Sequence, residues 1–111
     1  MKVAIVGSRS LTIDNLEQYL PQNTTELISG GARGIDACAR RYALTQHLPI
    51  TEFLPDYRRY GRGAPIRRNR QIVACAEHVV IIWDGHSPGT RFVIAECRRL
   101  GKPFTLYVKS P

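Results

Sequence analysis

Short apolar runs recur along the chain and alternate with segments in which apolar residues return every three or four positions. Runs that are apolar at nearly every position are typical of strands covered on both faces, as in parallel sheets. The runs predict five strands, at residues 3–6, 26–29, 50–54, 79–83 and 103–108. The segments between them predict four helices, from Thr12 or Asp14 to Leu20 and then at 35–46, 66–76 and 90–100. Residues 55–65 contain Pro and Gly and predict a loop.

Strict alternation of strands and helices predicts the α/β class. Because crossovers between parallel strands are right-handed, we expect a Rossmann-like three-layer sandwich whose five-stranded parallel sheet has the order 3-2-1-4-5. The strand order then reverses between the first and fourth strands. Ligands bind such sheets outside the carboxyl ends of the strands, at that reversal. The 111 residues are enough for one domain, predicted to span 1–111.

The formal net charge is +7, and much of the excess is local. Six arginines lie between residues 58 and 70, which favours an anionic partner such as a nucleotide or polynucleotide, although a solvated surface is the alternative. No apolar stretch reaches membrane-spanning length, so we expect a cytoplasmic protein without a membrane partner. The three cysteines are widely spaced and predict neither a disulfide nor a metal site, and we expect no cofactor.

Glycine-rich turns follow predicted strands one, two and four. They contain six of the nine glycines: Gly7, Gly30, Gly31, Gly34, Gly85 and Gly89. A turn of this kind that opens a helix directs free N–H groups and the positive end of the helix dipole at one point, which suits phosphate. Ser8, Arg9 and Arg33 add a hydroxyl and two guanidinium groups to these turns. The turns predict a phosphate-binding site, whereas each one alone could be an ordinary strand-to-helix connection.

Several carboxylates and one amide are candidates for further roles. Asn69 and Glu96 share helical stripes with apolar residues and are predicted to point inward, with Arg70 as a candidate partner for Glu96. Asp36, in a first helical turn, could cap the helix or contact a ligand. Asp84 ends the fourth strand, where it could act as a base or form an ordinary turn with Gly85.

Four segments together resemble the SLOG superfamily, a Rossmann-like group that includes DprA and the LOG phosphoribohydrolases. They are VAIVGSR (3–9), SGGARGID (29–36), APIRRNRQIV (64–73) and SPGT (87–90), and the RNR segment is most similar to the YspA-like branch. The resemblance implies a nucleotide or nucleotide-derived ligand at the carboxyl edge of the sheet, and a homodimer as one assembly. The binding residues it implies are Gly7, Ser8, Arg9, Gly30, Gly31, Arg33, Gly34, Asn69, Arg70, Gly89 and Thr90.

The leading hypothesis is a binding module that senses or processes such a ligand. A second hypothesis is an N-glycosidase that releases the base from a nucleoside 5′-monophosphate, with Glu96, or failing that Asp84 or Asp36, as the catalytic carboxylate. LOG enzymes carry PGGxGTxxE, whereas Arg91, Phe92 and Val93 follow the PGT here and the glutamate comes only at Glu96. A third hypothesis is DprA-like binding of single-stranded DNA by the Arg58–Arg70 cluster and its tyrosines.

Overall fold

The predicted sheet is present. In a computed structural model, which describes residues 1–111, five parallel strands form one sheet in the order β3-β2-β1-β4-β5. The strands are β1 (Lys2–Gly7), β2 (Glu26–Ser29), β3 (Ile50–Glu52), β4 (His78–Trp83) and β5 (Phe104–Val108). The central strand β1 pairs with β2 on one side and with β4 on the other, so the reversal of strand order lies between β1 and β4. The α/β class and the Rossmann-like order 3-2-1-4-5 are thereby confirmed.

Helices cover both faces of this sheet. They are α1 (Ile35–Gln46), α2 (Tyr57–Tyr60), α3 (Ala64–Cys75) and α4 (Pro88–Leu100). Alternate residues of each strand point to opposite faces, and two clusters of buried side chains result. Val3 and Ile5 of β1 pack in one cluster with Ile35 of α1, and Ala4 and Val6 pack in the other with side chains of α3 and α4. The first and fourth strands are therefore held between two apolar layers, as their continuous apolar sequences predict.

The helix predicted to end at Leu20 is wrong. A loop joins β1 to β2 and contains only a 3-10 turn, Leu16–Gln18. Leu11 and Leu16 are both buried, yet five positions on an α-helix place two side chains about 140° apart. Leu11 precedes the predicted helix, and a helix extended back to include it could not bury both leucines against the sheet, whereas the irregular loop does so.

Several other segments differ from prediction, by one or two residues at most element ends. Strand β3 ends at Glu52 rather than at residue 54, because its partner β2 ends at Ser29, the residue paired with Glu52. The predicted loop at 55–65 contains α2, which begins where the Asp56 carboxylate accepts a hydrogen bond from the N–H of Arg59 at 3.2 Å. Helix α3 starts two residues earlier than predicted, since Pro65 is tolerated in a first helical turn.

The longest helix has 13 residues. None of the helices combines the length and the apolar character that crossing a bilayer requires. Cys38 and Cys97 are buried, whereas Cys75 is exposed.

Candidate functional site

A cleft of about 360 Å³ opens at the carboxyl edge of the sheet. Four chain segments contribute residues to its walls: 6–9 at the end of β1, 30–36 after β2, 65–72 in α3 and 87–90 at the start of α4. The three glycine-containing turns therefore converge on one place, at the reversal of strand order. A chain that brings three separate turns to one concave surface creates a site that no single turn could form.

Two glycines allow the turns to approach this closely. A Cβ on Gly7 would lie 2.5 Å from the carbonyl oxygen of Ile82 and 2.5 Å from Cγ1 of Ile35. Gly34 has φ +74° and ψ −124°, and a Cβ there would lie 2.6 Å from backbone atoms of Ser8 and Arg9. Because those neighbours are largely backbone, they cannot move aside, and only glycine fits. The turn after β2 is thus packed directly on the turn after β1.

Arg68 forms part of the cleft wall and is only 8% exposed. Its Nη1 donates to the carbonyl oxygen of Gly30 at 2.6 Å, and its Nε donates to Oδ1 of Asn69 at 2.9 Å. A longer contact of 3.4 Å joins Nη1 to the carbonyl oxygen of Phe53. These bonds fix the guanidinium plane. Burial lowers the pKa of Arg68, but an arginine guanidinium stays protonated in a protein, so the charge remains. Its Nη2 makes no hydrogen bond within the protein.

Asn69 and Thr90 supply two further polar groups to the cleft. They are 8% and 4% exposed, and both line its wall. Asn69 uses its Oδ1 to accept from Arg68, while its Nδ2 and the Thr90 hydroxyl make no hydrogen bond within the protein. Every fully enclosed side-chain nitrogen and oxygen of the protein has a hydrogen-bond partner. The unbonded Nδ2 of Asn69 and hydroxyl of Thr90 are therefore not fully enclosed, and they are open toward the cleft that both residues line. Buried polar groups are normally hydrogen-bonded, and groups left free in a cleft are typical of a binding site.

Asp36 contributes the only carboxylate to the cleft wall. One of its oxygens, Oδ2, accepts from the N–H of Ala32 at 3.2 Å, and the residue is 7% exposed. Burial raises the pKa of Asp36, although the hydrogen bond from Ala32 and the charge of Arg68 act in the opposite direction. A Cβ on Gly30 would lie 2.6 Å from Nη1 of Arg68 and 2.9 Å from Oδ2 of Asp36, so both charged groups crowd the same face of this glycine.

The start of α4 brings backbone N–H groups to the same cleft. The first hydrogen bond within this helix runs from the N–H of Arg91 to the carbonyl of Ser87, so the N–H groups of Gly89 and Thr90 precede it. Asp84 holds this turn in place: one carboxylate oxygen accepts from the N–H groups of His86 and Ser87, each at 2.8 Å. These bonds, with hydroxyl donors from two serines, hold the pKa of Asp84 well below its usual range.

Ser8 connects this turn to β1. Its hydroxyl lies 3.0 Å from the hydroxyl of Ser87 and accepts from the N–H of Asp84 at 2.9 Å. Ser8 is buried and lines the cleft. The residues 84, 87 and 8 therefore form one network that sets the position of the α4 N-terminus.

The structure places most of the predicted binding residues around the cleft. Its walls include these predicted residues: Gly7, Ser8, Arg9, Gly30, Asp36, Asn69, Gly89 and Thr90. Gly31 and Arg33 line an adjoining hollow instead. Gly34 lines neither cavity and packs against the backbone of Ser8 and Arg9. Their roles in binding stay predictions.

Three further predicted residues, Asp84, Glu96 and Arg70, line neither the cleft nor the adjoining hollow. Asp84 supports the loop described above. Glu96 is buried on α4, as its apolar stripe indicates, but Arg99 is its hydrogen-bonding partner, through both Nε and Nη2. These bonds hold the pKa of Glu96 below its usual range. Arg70 is exposed, with its guanidinium 5.8 Å from the centre of the Phe92 ring.

Sequence reasoning missed Arg68 and Ser87. Ala64, Arg68 and Ile72 are spaced four apart and form the stripe of α3 that faces inward. A helix predicted to begin at Ile66, which is exposed, makes Arg70 the inward residue instead. The signal for Arg68 was therefore present and depended on whether Ala64 or Ile66 is taken as the inward residue of the first turn.

Two other surface features are less suited to an anion or a base. The largest hollow, about 650 Å³, lies against α1, and its lining includes Asp14 and Glu17 beside one arginine, Arg41. In the cluster 58–70, the Arg59 and Arg67 guanidinium carbons lie 5.2 and 4.2 Å from the centre of the Tyr60 ring. These arginines already occupy the ring, which leaves less of it for stacking a base.

The fold and the cleft define a Rossmann-like α/β domain with a polar, partly cationic cleft at the carboxyl edge of its sheet. The chain belongs to the YspA, cpYpsA-related SLOG family (YAcAr), whose model matches residues 1–60. This membership indicates a nucleotide-related ligand-binding domain. No match was found to a curated protein or to a solved structure.

Proposed function

We propose that the cleft binds a nucleotide or nucleotide-derived molecule through its phosphate, and that the domain senses or processes this ligand. The observation that supports the proposal best is the set of buried groups with unused donors: Nη2 of Arg68, Nδ2 of Asn69 and the hydroxyl of Thr90. A phosphate accepts hydrogen bonds at three oxygens, and charge-assisted bonds are the stronger kind. The N–H groups at the start of α4 add donors and a positive dipole on the same side.

Asp36 supports a nucleotide rather than a simple anion. A carboxylate in the cleft repels a free phosphate, but it accepts hydrogen bonds from hydroxyl groups. A sugar phosphate satisfies both requirements, with the phosphate at Arg68 and Thr90 and a sugar hydroxyl at Asp36.

Thermal unfolding with and without ligands tests the proposal. A panel of AMP, GMP, CMP and UMP, with the corresponding di- and triphosphates, is expected to contain at least one compound that raises the Tm through linkage. Thr90→Val removes a hydroxyl that has no partner in the protein, so we expect the Tm of the free protein to be kept. The apparent Kd is expected to rise about ten-fold, because one hydrogen bond to a charged group is lost.

Thr12→Val is the matched control, since Thr12 is exposed and lies outside the cleft. It is expected to leave both the Tm and the apparent Kd unchanged. A wild-type protein whose Tm no member of the panel raises would contradict the proposal.

A second candidate function is hydrolysis of the N-glycosidic bond of a nucleotide. The observation that favours it is the burial of Asp36, which raises its pKa and keeps a carboxyl in the cleft suited to general acid–base chemistry. Incubation with nucleoside monophosphates and detection of free base tests it, with Asp36→Asn expected to abolish release. Binding without any release in the wild type would leave the binding function and exclude the hydrolase.

A further inference from the structure

A second hollow adjoins the cleft and shares part of its wall. It also measures about 360 Å³, and Arg9, Gly30, Ala32 and Arg68 line both cavities. Beyond this shared wall it is lined by Gly31, Arg33, Leu54 and Pro55. A ligand that fills the cleft can therefore continue past Arg68 without leaving the protein surface.

The lining of this hollow is positively charged. Three arginines contribute to it, Arg9, Arg33 and Arg68, and no carboxylate does. No ion pair neutralises them, since the two ion pairs of the structure join Arg40 to Glu52 and Arg99 to Glu96. Glu52, which is close to Gly31, is bound by Arg40 at 2.8 Å. The position of Arg68 is fixed by its bonds to backbone carbonyls, so one charge between the two cavities is preorganised.

The far side of the hollow is apolar. Leu54 is 65% exposed, and its Cδ2 would lie 2.6 Å from a Cβ on Gly31, so this side chain covers the turn after β2. Gly31 has φ +70°, a conformation that glycine adopts without strain, so this turn needs glycine both for its backbone and for the space that Leu54 fills. An exposed leucine beside three arginines suits a ligand that carries charge and then a ring or other apolar group.

We infer that this hollow is a second anion subsite, which holds a further phosphoryl group of a ligand whose first phosphate occupies the cleft. The inference rests on the proposed function and specifies it: the ligand contains a diphosphate or longer phosphate chain rather than a single phosphate. Arg33 contacts only the second group, while Arg68 lies between the two.

The test compares ligands that differ by one phosphoryl group. Phosphate and pyrophosphate are titrated without a base, and mono-, di- and triphosphates of adenosine, guanosine, cytidine and uridine are titrated in the same way by calorimetry. Two variants are used. Arg33→Ala removes an arginine that lines only the second hollow, and Arg62→Ala removes an exposed arginine that lines neither cavity. NAD, in which the second phosphate continues to a second nucleoside, distinguishes a bridged diphosphate from a terminal chain.

We expect the wild type to bind pyrophosphate and nucleoside diphosphates at least ten-fold more tightly than phosphate and the monophosphates. Arg33→Ala is expected to remove most of this difference while changing the monophosphate Kd by less than two-fold, and Arg62→Ala is expected to change neither. Tighter binding of NAD than of the diphosphates supports a second moiety on Leu54; the reverse supports a terminal phosphate chain.

Two results overturn the inference, and they have different consequences. Monophosphates that bind as tightly as diphosphates, or an Arg33→Ala that weakens both equally, remove the second subsite and leave the proposed function standing. A wild type that binds none of these compounds removes both.

Discussion

Replacement of Arg68 by methionine tests the structural account of the cleft most directly. Methionine has a side chain of similar length, so the main change is loss of the guanidinium. The lost bonds are those to the Gly30 carbonyl at 2.6 Å and to Asn69 Oδ1 at 2.9 Å, together with the weaker contact at 3.4 Å. The Gly30 carbonyl is then left without its partner in a buried site, and Asn69 can turn toward the cleft.

The expected loss in unfolding free energy follows from these bonds. An orphaned buried acceptor destabilises by about 1–3 kcal/mol, and a bond to a charged group contributes about 1.5–3 kcal/mol. Removing the buried charge recovers part of its desolvation, which is the cause of the lowered pKa of Arg68. We therefore expect a net loss of about 3 kcal/mol, or a fall in Tm of about 12 °C for a domain of this size.

Urea unfolding of Arg68→Met measures this change, with Arg70→Met as the control on the same helix. Arg70 is exposed, and its substitution is expected to alter the unfolding free energy by less than about 0.5 kcal/mol. A result for Arg68→Met within the same 0.5 kcal/mol of the wild type, at an unchanged m-value, would refute the view that this guanidinium holds the turn after β2 in place.

Three further predictions concern the turns around the cleft. Gly34→Ala places a Cβ against backbone at a positive φ and is expected to destabilise by about 3 kcal/mol or more, whereas Gly63→Ala, with φ −80° and open space, is expected to stay within about 0.5 kcal/mol of the wild type in urea unfolding. Because burial raises the folded-state pKa of Asp36, ionising this carboxyl in the folded protein is unfavourable. The stability of the wild type is therefore lost as the pH rises from 3.8 through the folded-state pKa, and Asp36→Asn should gain stability relative to it over that interval of a pH series. The lowered pKa of Asp84 has the opposite sign, so its contribution is present above 3.8 and lost in acid, and at neutral pH Asp84→Ala should speed amide exchange of the two N–H groups its carboxylate accepts.

The sheet could be predicted because its strands carry the strongest signal. Val3–Val6 and Val79–Trp83 are apolar at almost every position, and such runs are compatible with few environments other than a doubly covered strand. The location of the cleft followed from the strand order alone. The segment before β2 could not be predicted in the same way, because its buried leucines have a spacing that neither a helix nor a strand produces.

The side chains of the cleft were harder to predict than its turns. Treating Ile66 rather than Ala64 as an inward residue of α3 exchanged the roles of Arg68 and Arg70, because residues four apart lie on the same helical face. The burial of Glu96 followed from its helical stripe, but its partner did not, because the stripe does not show which of several arginines reaches it. Contacts between distant segments depend on the final packing, and local sequence patterns do not contain them.

The central position of β1 has a consequence for how the molecule folds. Its pairing with β2 joins segments close in sequence, whereas its pairing with β4 closes a loop of about 75 residues, the slower kind of event in folding. Arg68 and Thr90 reach the cleft only with α3 and α4, which flank that later pairing. A partly folded chain that contains only the first three strands would lack the part of the cleft wall that α3 and α4 supply, and it would not bind a phosphate there. Ligand present during folding should therefore slow unfolding of the finished protein and leave the early folding rate unchanged.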